Sequence, residues 1–168
     1  QTARVVAKSL WLNEVRGDAS ALGDGLVHTP FGHAGEIALY KLNPMGFAHY
    51  KQCVRVAQVL EKKGRGLNLT WEVIDGILNH RTSGRPATLE GQVVRLCDKI
   101  SYIHHDMDDA HRAGLISEDD IPITLRMLLG YTIRARLNTL LPNIVANRQG
   151  TATIQMSEEL YPAMMDSN

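Results

Sequence analysis

Hydrophobic residues recur at helical spacing along nearly the whole chain. Val5, Val6, Leu10 and Leu12 fall on one face of a first segment, and Val54, Val56, Val59 and Leu60 do so in a segment after Gly46. Thr70 stands where a helix N-cap belongs, ahead of the pattern at residues 71–80. Thr88 opens the longest regular stretch, predicted to run from Leu89 to Arg112. Asp119 or Asp120, followed by Pro122, starts another helix, and Pro142 is expected to kink or end the pattern that carries Leu137, Leu140 and Leu141. Breaks fall at residues 23–25, Asn43-Pro44-Met45-Gly46, Gly64-Arg65-Gly66 and Ser83-Gly84-Arg85-Pro86. Strand-like alternation occurs only at residues 151–156. With no repeat and no alternation of strands with helices, the pattern predicts an all-α fold.

Composition narrows the partners. The chain's 168 residues suit one domain, and hydrophobic and charged shares of 44% and 21% are enough to build a core without implying disorder. Lys and Arg number 18, against 18 Asp and Glu, so the surface is not cationic overall. Non-specific binding to DNA or to an anionic membrane gains no support from this balance. No apolar run approaches the roughly 20 residues of a membrane span. The opening segment is interrupted by Arg4 and Lys8 and does not read as a signal peptide. Cys53 and Cys97 each sit in an apolar helical pattern and are expected as buried thiols of a cytoplasmic protein.

Three segments carry candidate chemistry. In His28-Thr-Pro-Phe-Gly-His33-Ala-Gly-Glu36, Pro30 and Gly32 predict a tight turn. His33 and Glu36 follow at helical i, i+3 spacing, where a carboxylate can orient an imidazole. The plain reading of such histidines is a hydrogen-bonded core or surface residue, and a ligand-binding reading stands beside it. His49 opens a helix, a position that favours anions such as phosphate. In the long helix, Asp98, Tyr102 and Asp106 are spaced by four and share a face, with Lys99 beside them. Val93, Leu96, Cys97, Ile100, Ile103 and Met107 form the apolar side. A polar stripe on so apolar a helix suits a cavity: a carboxylate for a metal, an ammonium for a phosphate, a phenol for a sugar or base.

Two other groupings read more plainly. Gly64-Arg65-Gly66 has no preceding strand and no following Walker lysine, so it is expected as a helix C-terminus rather than a phosphate loop. His80, Arg81 and Arg85 form a small basic cluster that reads first as a solvated loop, with ligand contact as the alternative.

Taken together, HTPFGHAGE, GFAHYKQ, GLNLTWEVIDGILNH and TLEGQVVRLCDKISYIHHDMDDAHRAGL resemble, in order and spacing, the HD-domain deoxynucleoside triphosphate triphosphohydrolases, among them the deoxyguanosinetriphosphate triphosphohydrolase-like proteins. The resemblance implies a helical HD-domain fold over residues 1–150, with residues 151–168 beginning a C-terminal extension. It also implies a chain that begins after the family's first metal ligand and stops short of its last helices. The implied reaction cleaves a deoxynucleoside triphosphate (dNTP) to deoxynucleoside and triphosphate with a divalent metal such as Mg²⁺ or Mn²⁺, in a cytoplasmic homo-oligomer that can also bind single-stranded nucleic acid.

The resemblance also implies roles for particular residues. Asp98 matches a metal ligand. His28 and His33 match phosphate-side histidines, the latter oriented by Glu36. His49 matches the histidine that protonates the leaving group, and Lys99 a phosphate contact. Tyr102 and Asp106 match residues around the deoxyribose. The family's His-Asp metal doublet is replaced here by Asp24-Gly25. Asp24 would then join Asp98 in an oxygen-rich site. The alternative is a catalytically inactive homologue that binds nucleotide or nucleic acid as a regulatory or assembly subunit.

Overall fold

A computed structural model describes residues 1–148 and 152–166. Ten α-helices account for most of them: α1 (Thr2–Ser9), α2 (Glu14–Asp24), α3 (Gly32–Leu42), α4 (His49–Arg55), α5 (Glu61–Gly64), α6 (Trp71–Asn79), α7 (Leu89–Arg112), α8 (Ile123–Leu129), α9 (Ile133–Asn147) and α10 (Leu160–Asp166). The all-α expectation holds for the described residues.

The helix starts are set locally. The Asn13 side chain accepts hydrogen bonds from the N–H groups of Val15 and Arg16, both at 3.1 Å, and so caps α2. Thr88 accepts from Gly91 N–H at 3.1 Å and Thr132 from Ala135 N–H at 3.1 Å, capping α7 and α9. Thr70 occupies the N-cap of α6. Helix α5 ends at Gly64, as the reading of Gly64-Arg65-Gly66 requires.

Helix α7 is the central element. It buries Val93, Val94, Leu96, Cys97, Ile100, Ile103 and Met107, which include every apolar position expected of it. Val6 of α1, Leu129 of α8, Leu140 and Ile144 of α9, and Leu160 and Met164 of α10 pack into the same core. A smaller core of Cys53, Val73 and Ile77 joins α4 to α6. Both cysteines are free and buried.

Helices α2, α6 and α7 approach one another through small residues. A Cβ on Gly76 would stand 2.5 Å from Ser20 Oγ and 3.7 Å from Gly91 Cα, so α6 meets both neighbours where side chains are absent or minimal. That close crossing, at the first turn of α7, holds α2 and α6 against each other.

Three local expectations differ from the structure, and of a fourth, that Pro142 kinks or ends its helix, the ending is excluded. Val5 is 55% exposed, because the buried stripe of α1 runs through Ala3, Val6 and Ala7, and its neighbour in sequence is turned about 100° away. Val59 and Leu60 are exposed because residues 56–60 form a wider π-type turn that shifts the helical phase. Helix α9 continues through Pro142, held by the burial of Leu140 and Ile144 on either side. Residues 152–156 form no strand. The Ile154 N–H donates to the Gln92 side chain at 2.8 Å, and Ile154 and Met156 are buried in the main core. Residue 151, and with it the expected boundary between residues 150 and 151, lies outside the described residues. No helix among the described residues is long and apolar enough to cross a membrane.

Candidate functional site

Four elements deliver the polar groups. Asp24 is the last residue of α2, His49 the first of α4, and His80 the C-cap of α6, while Asp98 lies on α7. His80 Nε2 is 2.8 Å from Asp24 Oδ1, and His49 Nε2 is 3.2 Å from the same oxygen. The two imidazole rings meet edge to face with centroids 5.0 Å apart. Glu36 of α3 closes the other side of His49, accepting its backbone N–H at 3.0 Å, with a carboxylate oxygen 3.7 Å from Nδ1. Glu36 therefore serves His49, although the sequence suggests His33 as its partner.

His80 is 3% exposed, and its orientation is fixed from behind: Nδ1 is 2.7 Å from the carbonyl oxygen of Ile77. A carbonyl only accepts, so Nδ1 carries the proton and Nε2 is the atom presented to Asp24. Beside the cluster lies a cavity of about 180 Å³ whose walls include Ala21, Asp24, Cys97, Asp98 and Ser101.

The electrostatics follow from this crowding. Burial pushes the Asp24 carboxyl up, but the hydrogen bonds and positive charge of His49 and His80 outweigh it and hold the group well below the usual carboxylate range. Burial works against a charged His80, yet the Asp24 hydrogen bond and charge, the Ile77 carbonyl and the Asp98 charge raise its pKa. Asp98 is raised, first by burial and then by the charge of Asp24, with His80, His49 and Lys99 offsetting part of the effect.

Asp24, His49 and His80 each offer one ligand atom, and these atoms lie within 4.8 Å of one another. Two imidazole nitrogens and a carboxylate oxygen, one ring locked by a carbonyl behind it, form a donor set that fits a divalent cation.

A second group lies along α7. His33 packs edge-on against Tyr102 with ring centroids 5.6 Å apart, and Lys99 Nζ stands 5.4 Å from the centre of the Tyr102 ring. Burial, and then the charge and hydrogen bond of Asp106, raise the Tyr102 pKa. His28 is exposed on the extended residue that ends the short turn at Gly25–Val27. The turn at Pro30 forms as expected: Gly32 N–H donates to the Thr29 carbonyl at 3.0 Å, with Phe31 and Gly32 both at positive φ.

The structure thus brings together Asp24, Glu36, His49 and Asp98 in one cluster and His33, Lys99, Tyr102 and Asp106 in another. His80 belongs to the first, although its surroundings in sequence read as a solvated loop. Its one local signal is its place directly after an amphipathic helix, where a C-cap side chain turns back toward the core. Arg81, its neighbour, stacks on Tyr50 with the guanidinium carbon 3.9 Å from the ring centre.

An all-helical scaffold carrying a half-buried His/Asp cluster defines the class. The relatives define the family. The chain is 51% identical over 163 residues to a deoxyguanosinetriphosphate triphosphohydrolase-like protein of Caldanaerobacter subterraneus, matching 97% of this chain and 48% of that protein. It is 44% identical to a protein of the same description from Clostridium perfringens (98% of this chain, 51% of that one) and 40% identical to one from Desulfatibacillum aliphaticivorans (99% and 51%). The chain spans about half the length of these curated relatives. Over that half it is a homologue of the deoxyguanosinetriphosphate triphosphohydrolase-like proteins. No family model matches it.

Proposed function

We propose that the chain forms the nucleotide site of a dNTP triphosphohydrolase that uses a divalent cation and releases deoxynucleoside and triphosphate. The observation that supports this most directly is the layout of α7. Asp98 stands by the His/Asp cluster, and Tyr102 and Asp106 follow one and two turns further on, each turn adding about 5.4 Å along the axis. A phosphate chain anchored near Asp98 and Lys99 would then lay its sugar against Tyr102.

In this reading Lys99 and His28 neutralise phosphate charge, and Tyr102 stacks on the deoxyribose. Asp106 accepts a hydrogen bond from the 3′-hydroxyl. His33, edge-on to Tyr102, stands on the sugar side, and the proposal gives it, in place of His49, the transfer of a proton to the departing 5′-oxygen. Glu36 holds His49 within the cluster. A bound divalent cation would supply charge stabilisation at the phosphoryl group and a more acidic water. Asp24, His49 and His80 would hold it, with Asp98 lining the cavity beside them. The proposal includes a homo-oligomer, supported by α3, which buries no residue and leaves Ile37 and Tyr40, neighbours on one face, 56% and 62% exposed.

The test is to incubate the chain with the four dNTPs and Mn²⁺ or Mg²⁺ and to measure deoxynucleoside and triphosphate together. Equal release of both supports the hydrolase. Saturable nucleotide binding without release gives the second reading, a non-catalytic nucleotide-binding homologue, which the Asp24-Gly25 replacement of the doublet favours. Absence of both binding and release overturns the proposal.

A further inference from the structure

Two imidazole nitrogens converge on the Asp24 carboxylate, and one of the rings is anchored from behind. His80 Nδ1 donates to the Ile77 carbonyl at 2.7 Å, which leaves Nε2 as the ring atom 2.8 Å from Asp24 Oδ1. An unprotonated nitrogen and a carboxylate oxygen repel at that distance, so a proton or a metal ion has to offset the charge there. His49 Nε2 approaches the same oxygen at 3.2 Å from a different helix. The cavity wall at Asp98 leaves room for further oxygen ligands or water.

We infer that Asp24, His80 and His49 form a transition-metal centre, with two imidazole nitrogens and one carboxylate oxygen as protein ligands and Asp98 facing it across the cavity. The inference deepens the cation part of the function proposed above. It also gives the site a composition different from the oxygen-rich Asp24–Asp98 pair that the sequence suggests. Nitrogen donors select the cation. Mg²⁺ prefers an oxygen shell and gives up its water reluctantly, whereas imidazole suits Zn²⁺, Co²⁺ and, more weakly, Mn²⁺. His80 is well built for this role, since a ligand histidine characteristically donates its other ring N–H to a carbonyl or carboxylate behind it. Ile77 supplies that carbonyl from the last turn of α6. Glu36 stands in a comparable place behind His49, 3.7 Å from Nδ1.

The experiment needs no nucleotide. The 168-residue chain is stripped with chelator, and Zn²⁺, Co²⁺, Mn²⁺ and Mg²⁺ are titrated separately by calorimetry, with the visible absorption of Co²⁺ as a second readout. One equivalent of Zn²⁺ or Co²⁺ is expected to bind at least 100-fold more tightly than Mg²⁺. His80→Gln and Asp24→Asn should each weaken Zn²⁺ binding at least tenfold. Should a variant fail to fold by circular dichroism, the wild-type chain still decides the matter: Co²⁺ must shift and broaden the side-chain NMR signals of His49 and His80 ahead of those of His28, His33 and His105. Equal affinity for Mg²⁺ and Zn²⁺, unchanged binding in both folded variants, or broadening of the other histidines first overturns the inference. Because binding is read without substrate, a chain that binds Zn²⁺ but releases no triphosphate sinks the hydrolase reading alone. One that releases triphosphate but shows no imidazole-bound metal sinks this inference alone.

Discussion

His80 Nε2 and Asp24 Oδ1, 2.8 Å apart, join the C-terminal ends of α6 and α2 through a contact between a 3%-exposed ring and a largely covered carboxylate. Each residue leaves the other uncompensated when removed. His80→Leu and Asp24→Leu are each expected to cost about 1.5–3 kcal/mol, the range for hydrogen bonds to charged groups. The double variant should cost at least 1 kcal/mol less than the sum. Urea denaturation of the four chains in chelator checks this, and additive costs would mean that the contact contributes nothing.

The crossing that creates the contact is vulnerable at Gly76. Gly76→Ala puts a methyl 2.5 Å from Ser20 Oγ and 2.8 Å from Ser20 Cβ, and a cost of about 1–3 kcal/mol is expected from overpacking. Adding Ser20→Gly should recover part of the loss, because it removes both colliding atoms. Thermal melts of the single and double variants supply the measurement.

Arg136 and Glu118 form a second junction, buried on the arginine side only. The guanidinium, 3% exposed, donates to the Glu118 carboxylate at 2.6 Å and to the Gly130 carbonyl at 3.2 Å. Glu118→Ala leaves the arginine charge buried. Because the carboxylate is 39% exposed, the expected loss is about 2 kcal/mol, short of the 3–5 kcal/mol of a fully enclosed pair. Equilibrium unfolding in 1 M salt should still show most of this loss.

Acid should weaken the fold through His104. The ring is buried, and desolvation, with the Arg136 charge adding to it, lowers its pKa against the raising effect of the Ile100 carbonyl. The unfolded chain therefore takes up a proton near the ordinary histidine value of 6.5, before the folded chain does. Stability from this group is whole above that pH, falls as pH drops below it, and levels off under the depressed folded value. His104→Leu should flatten that part of the pH–stability curve relative to the parent chain. An unchanged slope between pH 7.5 and pH 5.5, values chosen to bracket roughly one unit either side of the histidine midpoint, would remove His104 as the cause.

The thiols should be silent in the folded protein. Burial pushes Cys97 up to about 12, with the charge of Asp98 adding to it, and burial also raises Cys53. A thiol reagent at pH 8 is expected to label neither cysteine until denaturant is added, and rapid labelling of Cys97 would contradict its placement in the core.

Legibility in the sequence followed the range of the forces involved. Helix α7 was readable because Val93, Leu96, Cys97, Ile100, Ile103 and Met107 repeat over several turns and Thr88 caps its start. Its polar stripe was readable for the same reason, since a period of 3.6 residues fixes which side chains share a face. Val59 and Leu60 misled, because a π-type turn is set by the surrounding packing. Residues 152–156 alternate like a strand, yet Gln92 takes the Ile154 N–H and the core takes Ile154 and Met156, so the segment is held by the helices and forms no strand.

By itself, then, the sequence determined an all-helical chain, its central helix, the relatives it resembles and the stripe from Asp98 to Asp106. All of these rest on local periodicity or on matching segments. Only the tertiary structure decided that Glu36 turns to His49 and that His80 leaves its basic loop to meet Asp24. Those contacts join residues far apart along the chain. The second depends on Ser20, Gly76 and Gly91 letting α2, α6 and α7 approach closely, and no pattern within a single helix encodes what a neighbouring helix will bring to it.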